Sequence, residues 1–248
     1  MLQRILMDKN KIEIFREIVQ TRRSVRLFDG SAVPAEVVHQ CLDLALLAPN
    51  SSNLQPWEFY WVRSPDKKAA LVKACLSQAA ANTAAELIVC VARTNHWEAM
   101  NTFMLQALAA HEKAGVRIPK AAWQYYRKLI PLAYRQGPLG IWGFFKRMLF
   151  FFVGLRKPTV REPASYADMK IWAVKSTALA CENLMLAFRA FDFDTCPMEG
   201  VDSKRIHKLL ALSSDAVTVM VIAIGKRRDA GVTLPQIRGE KSWFVKEV

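Results

Sequence analysis

Acidic residues are scarce in this chain. Against 22 Asp and Glu stand 35 Lys and Arg, a formal net charge of +13 with a pI near 9.7. That excess excludes an acidic, self-solvating chain and points to anionic partners: a nucleotide, a membrane surface or a nucleic acid. Glycine is sparse too, with 10 residues, and no GxGxxG follows a strand pattern. This argues against a Rossmann dinucleotide domain. Gly225-Lys226 lacks the upstream glycine of a P-loop, and neither HExxH nor GxSxG occurs. The four histidines, His39, His96, His111 and His207, are dispersed and read first as members of solvated helix faces. Five cysteines, Cys41, Cys75, Cys90, Cys181 and Cys196, show no CxxC and no metal spacing. They read as buried thiols of a reducing compartment. No pair of carboxylates stands out for acid–base work. A chain so short of nucleophiles, metal ligands and proton-transfer pairs suits a cofactor that carries the hard chemistry itself.

Long hydrophobic runs are missing as well. The longest, Met148–Leu155, falls far below the roughly 20 residues of a membrane-spanning helix. The wider Ile141–Leu155 is interrupted by Lys146 and Arg147. Met1–Lys11 carries charges throughout and lacks the apolar segment and small-residue cleavage site of a signal peptide.

What is present is a chain 52% apolar, too rich for disorder. Its 248 residues suffice for one α/β domain with a substantial core, or two small ones. Helical spacing runs over Ile5–Gln20 and again from Pro34, a residue suited to a first helical position, to Ala48, where Pro49 ends it. Glu58–Val62 is aromatic and β-branched and reads as a strand. Pro65–Leu76 reads as a short helix, Leu87–Ala92 as a strand buried on both faces, and Trp97–Lys113 as a helix. Tyr166–Ala190 is a long helix with Trp172, Ala173, Ser176, Ala180, Leu184 and Ala187 on one side. Asn183 lies on a neighbouring line, as at the edge of a site. Phe193–Cys196 and Val217–Ile224 read as strands, and Asp202 caps a helix over Ser203–Leu212. From Gly231 the tail is an extended arm. There are no repeats or low-complexity linkers, and the element order predicts one mixed α+β domain rather than alternating βαβ units.

Two motifs stand out. Thr21–Phe28, TRRSVRLF, sets Arg22, Arg23 and Arg26 around Ser24. Ala48–Trp57, APNSSNLQPW, is a turn-forming polar run about 25 residues later. Guanidiniums match phosphate oxygens in bidentate geometry. Ser and Asn side chains in a Pro/Asn/Ser turn suit a polyhydroxyl chain and a heteroaromatic edge. Each motif alone is also ordinary surface chemistry, since cations favour helix C-termini and such clusters are common loops. Together they suggest a phosphorylated cofactor.

This pair resembles the FMN-dependent nitroreductase family. Cys196–Asp202, CPMEGVD, is similar to that family's Pro-x-Glu-Gly-Phe-Asp segment, and Thr233–Arg238, TLPQIR, to its C-terminal Leu-Pro-x-x-Arg segment. The resemblance implies an α+β fold: a central mixed or mostly antiparallel sheet sandwiched by helices, in an intertwined homodimer. It implies FMN as cofactor and NADH or NADPH as donor. Arg22 and Arg238 would hold the phosphate, with Arg23 beside them. Ser24 would lie near the ribityl chain or pyrimidine edge, and Arg26 would face flavin N1 and O2, where negative charge develops on reduction. Pro49, Asn50, Ser51 and Asn53 would reach the flavin of the other subunit. Pro197 and Met198 would lead to Glu199 and Gly200, whose backbone N–H groups approach N5. An amide after the first strand's helix, Gln78 or Asn82, would complete the set. One departure is Gln236, where the family often has a basic residue; Lys226, Arg227 or Arg228 would compensate, or would form a solvated turn.

One segment is unlike the rest. From Gly115 to Ser165 there are ten basic residues and one acid, Glu162, a local charge of +9, together with ten aromatic residues. In the family this region shapes the acceptor pocket; here it looks like a basic aromatic insertion or lid at about 115–165. Three readings stand. The aromatics pack as core or dimer interface while the charges are solvated; the segment docks on an anionic membrane; or it binds nucleic acid. The unbroken Phe150-Phe151-Phe152 argues against the third.

The expected function is hydride transfer from NAD(P)H through the flavin to an electron-poor acceptor, a nitroaromatic, quinone or similar compound, lipophilic ones included. The expected location is the cytoplasm, with peripheral attachment to the inner face of the membrane under the second reading. Alternatives are a reductive dehalogenase or flavin-consuming enzyme of the same superfamily, or a non-enzymatic flavin-binding membrane adaptor.

Overall fold

The structure is a computed structural model that describes residues 2–137 and 140–248, with side chains from residue 10 onward. The apolar segments Leu87–Ala92 and Val217–Ile224 form the centre of the sheet. Strands β1 (Trp57–Trp61), β2 (Glu86–Arg93), β3 (Asp194–Met198) and β4 (Ala216–Gly225) are arranged in the order β1-β2-β4-β3, with every pairing antiparallel. β2 and β4 are interior strands covered on both faces, which is why their sequences read as continuous apolar runs rather than as alternating ones. A bulge at Cys90/Val91 shifts the β2–β4 register.

Helices cover both faces. On one, Leu87, Val89, Val91, Val221 and Ala223 pack against α3 (Pro65–Ala74), the short α4 (Ala79–Thr83) and α10 (Ser203–Leu210). On the other, Ile88, Cys90, Met220, Ile222 and Ile224 meet α2 (Ala35–Leu46) and α9 (Tyr166–Ala190). The inner stripe of α9 is the expected one: Trp172, Ala173, Ser176, Ala180, Leu184 and Ala187 are all buried. The Ser165 hydroxyl caps it by accepting the Asp168 N–H. Asn183 is half-buried beside that stripe, its amide 3.5 Å from Leu44 O of α2. Pro34 is the N-cap of α2, one position before the first helical turn, and α10 ends at Leu210, earlier than its sequence pattern suggests. All five cysteines are buried and free. Burial pushes the Cys41 thiol up to about 12 and Cys75 to about 11.

The segment before residue 165 packs as further helices beside α9. After α5 (Trp97–Lys113) come α6 (Lys120–Gln124), one π-helical turn (Tyr125–Leu129), α7 (Ile130–Tyr134) and α8 (Ile141–Gly154). Ile130, Tyr134 and Trp97 pack on Met169, Trp172 and Ala173, so part of this segment is core, as the first reading expects. Helix α8 is not. Trp142, Phe144, Phe145, Phe151 and Phe152 are exposed, whereas Lys146 is 2% exposed. Helix α1 (Leu2–Thr21) likewise exposes Ile12, Phe15 and Val19, and the arm beyond residue 231 exposes Leu234, Ile237, Trp243 and Phe244. Among the described residues no helix is long and apolar enough to cross a membrane.

Candidate active site

The arginine motif leaves the end of α1 and runs beside β3. Ser24 bridges Thr195 in parallel register, Val25 N donates to Thr195 O at 3.1 Å, and Phe28 bridges Arg227. Val25 and Phe28 are buried in the sheet's α3/α10 side, while Ser24 and Arg26, on either side of Val25, are exposed. The C-terminal arm crosses the motif at Gly231, whose carbonyl accepts the Arg26 N–H at 2.9 Å. A Cβ at Gly231 would meet Leu27 O at 2.6 Å, so only glycine permits this crossing. Beyond it, Arg23 Nη2 donates to Leu234 O at 2.6 Å. Between motif and arm lies a hollow of about 220 Å³ lined by Arg22, Arg23, Ser24, Arg26, Gln236 and Arg238 among others. Among the described residues no carboxylate pairs with any of these four guanidiniums.

Next to the cradle, β3 carries Cys196, Pro197 and Met198 into the turn at Glu199 and Gly200. Burial raises the Cys196 thiol, and the positive charge of Arg26 opposes that rise. Of the two candidate amides, Gln78 donates to Gly200 O at 2.9 Å, while Asn82 bends back to Ser77 O. Thr195 Oγ1 is buried with no hydrogen-bond partner among the described residues. The basic candidates offered as substitutes for Gln236 divide: Arg227 is committed to Asp194, Nε to Oδ2 at 2.8 Å, and to Thr21 O. Lys226 lies over the Phe193 ring.

The Asn/Ser loop lies elsewhere. It precedes β1, whose first residue Trp57 pairs with Ala92 near the end of β2. The cradle abuts β3, where Asp194 pairs with Gly225 at the end of β4. β1 and β3 are the two outer strands, about 14 Å apart at ordinary strand spacing. The two motifs therefore occupy diagonally opposite corners of one sheet, and one chain does not bring them together. Asn50 Oδ1 accepts from Gln55 N at 2.8 Å and closes the loop on itself. Ser52, Asn53 and Gln55 all have positive φ, 62°, 52° and 42°, a left-handed conformation costly outside glycine and typical of functional turns. Three tyrosines of the 115–165 segment hold the loop. Tyr125 OH lies 2.7 Å from Ser52 Oγ, Tyr134 OH lies 3.3 Å from Ser51 Oγ, and Tyr126 OH donates to Ser52 O at 3.2 Å. Tyr134, Trp172, Lys175 and Asp168 wall a cavity of about 360 Å³ that opens beside Asn50 and Ser51. Burial works to raise the Asp168 carboxyl, but the Ala164 N–H and the Ser165 hydroxyl outweigh it and hold it below the usual carboxylate range. The tyrosine contacts were not legible in sequence, since they join segments more than 70 residues apart.

Comparison with known proteins decides the family. The model of the nitroreductase family matches residues 19–226. The chain belongs to the nitroreductase family. It is 26% identical over 214 residues to the protein DrgA of Synechocystis, covering 86% of this chain and 84% of that one. It is 26% identical over 213 residues to an NADH dehydrogenase of Thermus thermophilus, covering 85% of each. A protein of Exiguobacterium sibiricum solved in complex with FMN superposes with a TM-score of 0.70 at 26% identity, covering 94% of this chain and 97% of that one. As a nitroreductase family member the chain is an oxidoreductase with the family's α+β fold.

Proposed function

We propose that this nitroreductase family member is an FMN-dependent enzyme that transfers a hydride from NADH or NADPH to an electron-poor acceptor, a nitroaromatic, a quinone or a similar conjugated compound. One observation carries the reading: the guanidiniums of Arg22, Arg23, Arg26 and Arg238 surround one hollow without a carboxylate among them. A phosphate dianion supplies the missing charge. FMN binding in the Exiguobacterium relative and NADH in the name of the Thermus relative support cofactor and donor.

The residues present fit FMN. Thr195 Oγ1 is a buried polar atom in want of a partner beside Ser24, and a Cβ at Gly200 would meet nothing within 4 Å, so that side of the turn is open. Bound there, the flavin supplies the hydride chemistry. The chain supplies place and charge. Arg22 and Arg238 hold the phosphate with Arg23 alongside; Ser24 meets the polyhydroxyl chain. Arg26 offers positive charge to the pyrimidine edge, a preorganised electrostatic role. Pro197 and Met198 fix the turn, and Gln78 fixes the peptide of Gly200, so that the Glu199 and Gly200 backbone faces the reacting side. Gln236 contributes an amide where a cation would add charge.

Pro49, Asn50, Ser51 and Asn53 serve the flavin of a second copy in a homodimer. Their placement at the far corner of the sheet supports this. So do the exposed apolar residues on α1, on the arm and on the outer side of α2 and α9, such as Leu44, Leu47, Ile171 and Leu179. The acceptor pocket is walled by the segment that carries Tyr134, and a lipophilic acceptor met at a membrane surface suits its basic aromatic composition. The test is anaerobic titration of FMN-loaded protein with NADH and with NADPH. Bleaching of the flavin, then recovery on adding a nitroaromatic or a quinone, is expected. Flavin that stays oxidised with both donors removes the reductase reading.

A further inference from the structure

Helix α8 is built inside out. Its inward stripe is small and polar: Gly143, then Lys146, both buried. Lys146 Nζ donates to Ala133 O of α7 at 2.6 Å and to Pro163 O at 3.0 Å. Gly143 lets the helix backbone press against the loop, because a Cβ there would meet Ala164 O at 2.3 Å. These contacts fix the helix's rotation, so it cannot roll to hide its other side. That side is formed by Ile141, Trp142, Phe144, Phe145, Met148, Leu149, Phe151, Phe152 and Leu155, all exposed. A helix on the surface of a water-soluble domain shows the opposite arrangement. Contiguous exposed apolar residues rimmed by charged ones mark an interaction site.

The charges around the patch choose its partner. Arg147 sits on the flank of α8, and Arg156 and Lys157 follow its last turn, all exposed. At that end a hollow of about 460 Å³ is lined by Phe152, Val153, Leu155, Arg156 and Lys157, apolar and cationic residues side by side. Between residues 115 and 165 the one acid is Glu162. A second copy of the chain would bring cations against cations here. A bilayer with anionic headgroups offers apolar depth for the aromatics and negative charge for the flanking cations. The helix, about 21 Å long at 1.5 Å per residue, is too short to span and suits lying in the plane of the surface.

We infer that the outer face of α8 inserts in the plane of an anionic lipid bilayer and attaches this enzyme to the membrane surface. The inference deepens the proposed function and rests on it for the lipophilic acceptor that such attachment would serve; its test separates the two. Full-length, FMN-loaded protein is floated with vesicles of phosphatidylcholine alone and with phosphatidylglycerol mixed in. Flotation is expected with the anionic vesicles at low salt and is expected to weaken at high salt. Arg147→Gln, Arg156→Gln and Lys157→Gln together should weaken it by about fivefold for each cation that reaches the leaflet. Phe144→Ser, Phe151→Ser and Phe152→Ser together should abolish it while the flavin spectrum and its bleaching by NAD(P)H persist. Wild-type protein that stays in the buffer with anionic vesicles at low salt overturns the inference. So does a serine variant that floats as well as wild type, or self-association that the serine variant loses in the absence of any flotation. Flotation needs no turnover: protein that floats but never bleaches leaves this surface intact and removes the reductase reading, and the reverse result removes only the surface.

Discussion

Two sets of arginines in this molecule behave differently, and the difference separates scaffold from site. Arg93, Arg189 and Arg227 are spent on carboxylates. Arg93 joins Glu58 and Asp215 across β1, β2 and the start of β4, while Arg189 and Arg227 close on Asp194, which is 3% exposed. Arg22, Arg23, Arg26 and Arg238 converge on one hollow and have no carboxylate among the described residues. A guanidinium cluster with no internal counter-charge is stable only where water solvates it or an anion neutralises it. Arg227 and Arg238 lie on the same strand-to-arm segment, yet one is structural and the other faces the hollow. Composition cannot make that distinction; partner geometry does.

Removing a paired arginine should cost the fold and removing an unpaired one should cost the ligand. The largest loss of stability is expected from Arg227→Ala, which strips Asp194 of one of its two partners. Asp194 is buried but Arg227 is 37% exposed, so solvent screens the pair, and with the Arg189 bond retained the change should cost about 1.5–3 kcal/mol. Chemical denaturation checks it. Arg22→Ala should leave the denaturation midpoint nearly unchanged and weaken FMN roughly 10- to 150-fold, the worth of a charge-assisted bond of about 1.5–3 kcal/mol. Equal stability losses in both variants would erase the distinction between the two sets.

Gly231→Ala sharpens the comparison, because it disturbs the crossing of arm and motif without touching a charge. Overpacking against Leu27 O should cost about 1–3 kcal/mol and should loosen FMN by displacing the arm that carries Arg238. Thermal unfolding and flavin titration report the two effects separately. Dilution is a further probe: if the Asn50–Asn53 loop completes a neighbour's site, sedimentation at low protein concentration should show flavin with the dimer alone, and a flavin-loaded monomer would contradict this.

Lys146 is a third kind of cation, satisfied by carbonyls. Burial lowers its pKa from the ordinary 10.5 to about 8. The unfolded chain therefore holds more protons than the folded one between these values, and stability should rise with pH across that window. Measured against Lys146→Met, which does not titrate, the wild type should gain up to about 1.4 kcal/mol per pH unit there and show no such trend below pH 8. A difference that stays flat would mean that the ammonium is solvated.

Much of the fold was legible because its signals are local and periodic. Helices α5 and α9 run over the residues their spacing indicates, and β2 and β4 announce themselves as apolar runs. Short elements were not: α4, AAANT, is one turn with no periodicity to read. The polarity of α8 was hidden for a different reason. Its pattern shows two faces but not which one is inside, and the buried lysine is intelligible only once Ala133 O and Pro163 O are in place. The cradle's residues could be read in the TRRSVRLF and TLPQIR segments, whereas the hold of Tyr125, Tyr126 and Tyr134 on the Ser51–Asn53 turn could not, since no local pattern encodes a contact between distant hydroxyls.

The most direct measurement is the equilibrium binding of FMN and of riboflavin, which lacks the phosphate, to the wild type and to Arg238→Ala. If the unpaired arginines form a phosphate cradle, wild-type protein should prefer FMN strongly, and Arg238→Ala should lose roughly 10- to 150-fold of that preference while its affinity for riboflavin stays the same. An FMN preference that survives the substitution unchanged, or a wild type that binds both flavins equally, would contradict the cradle and with it the role given to these four arginines.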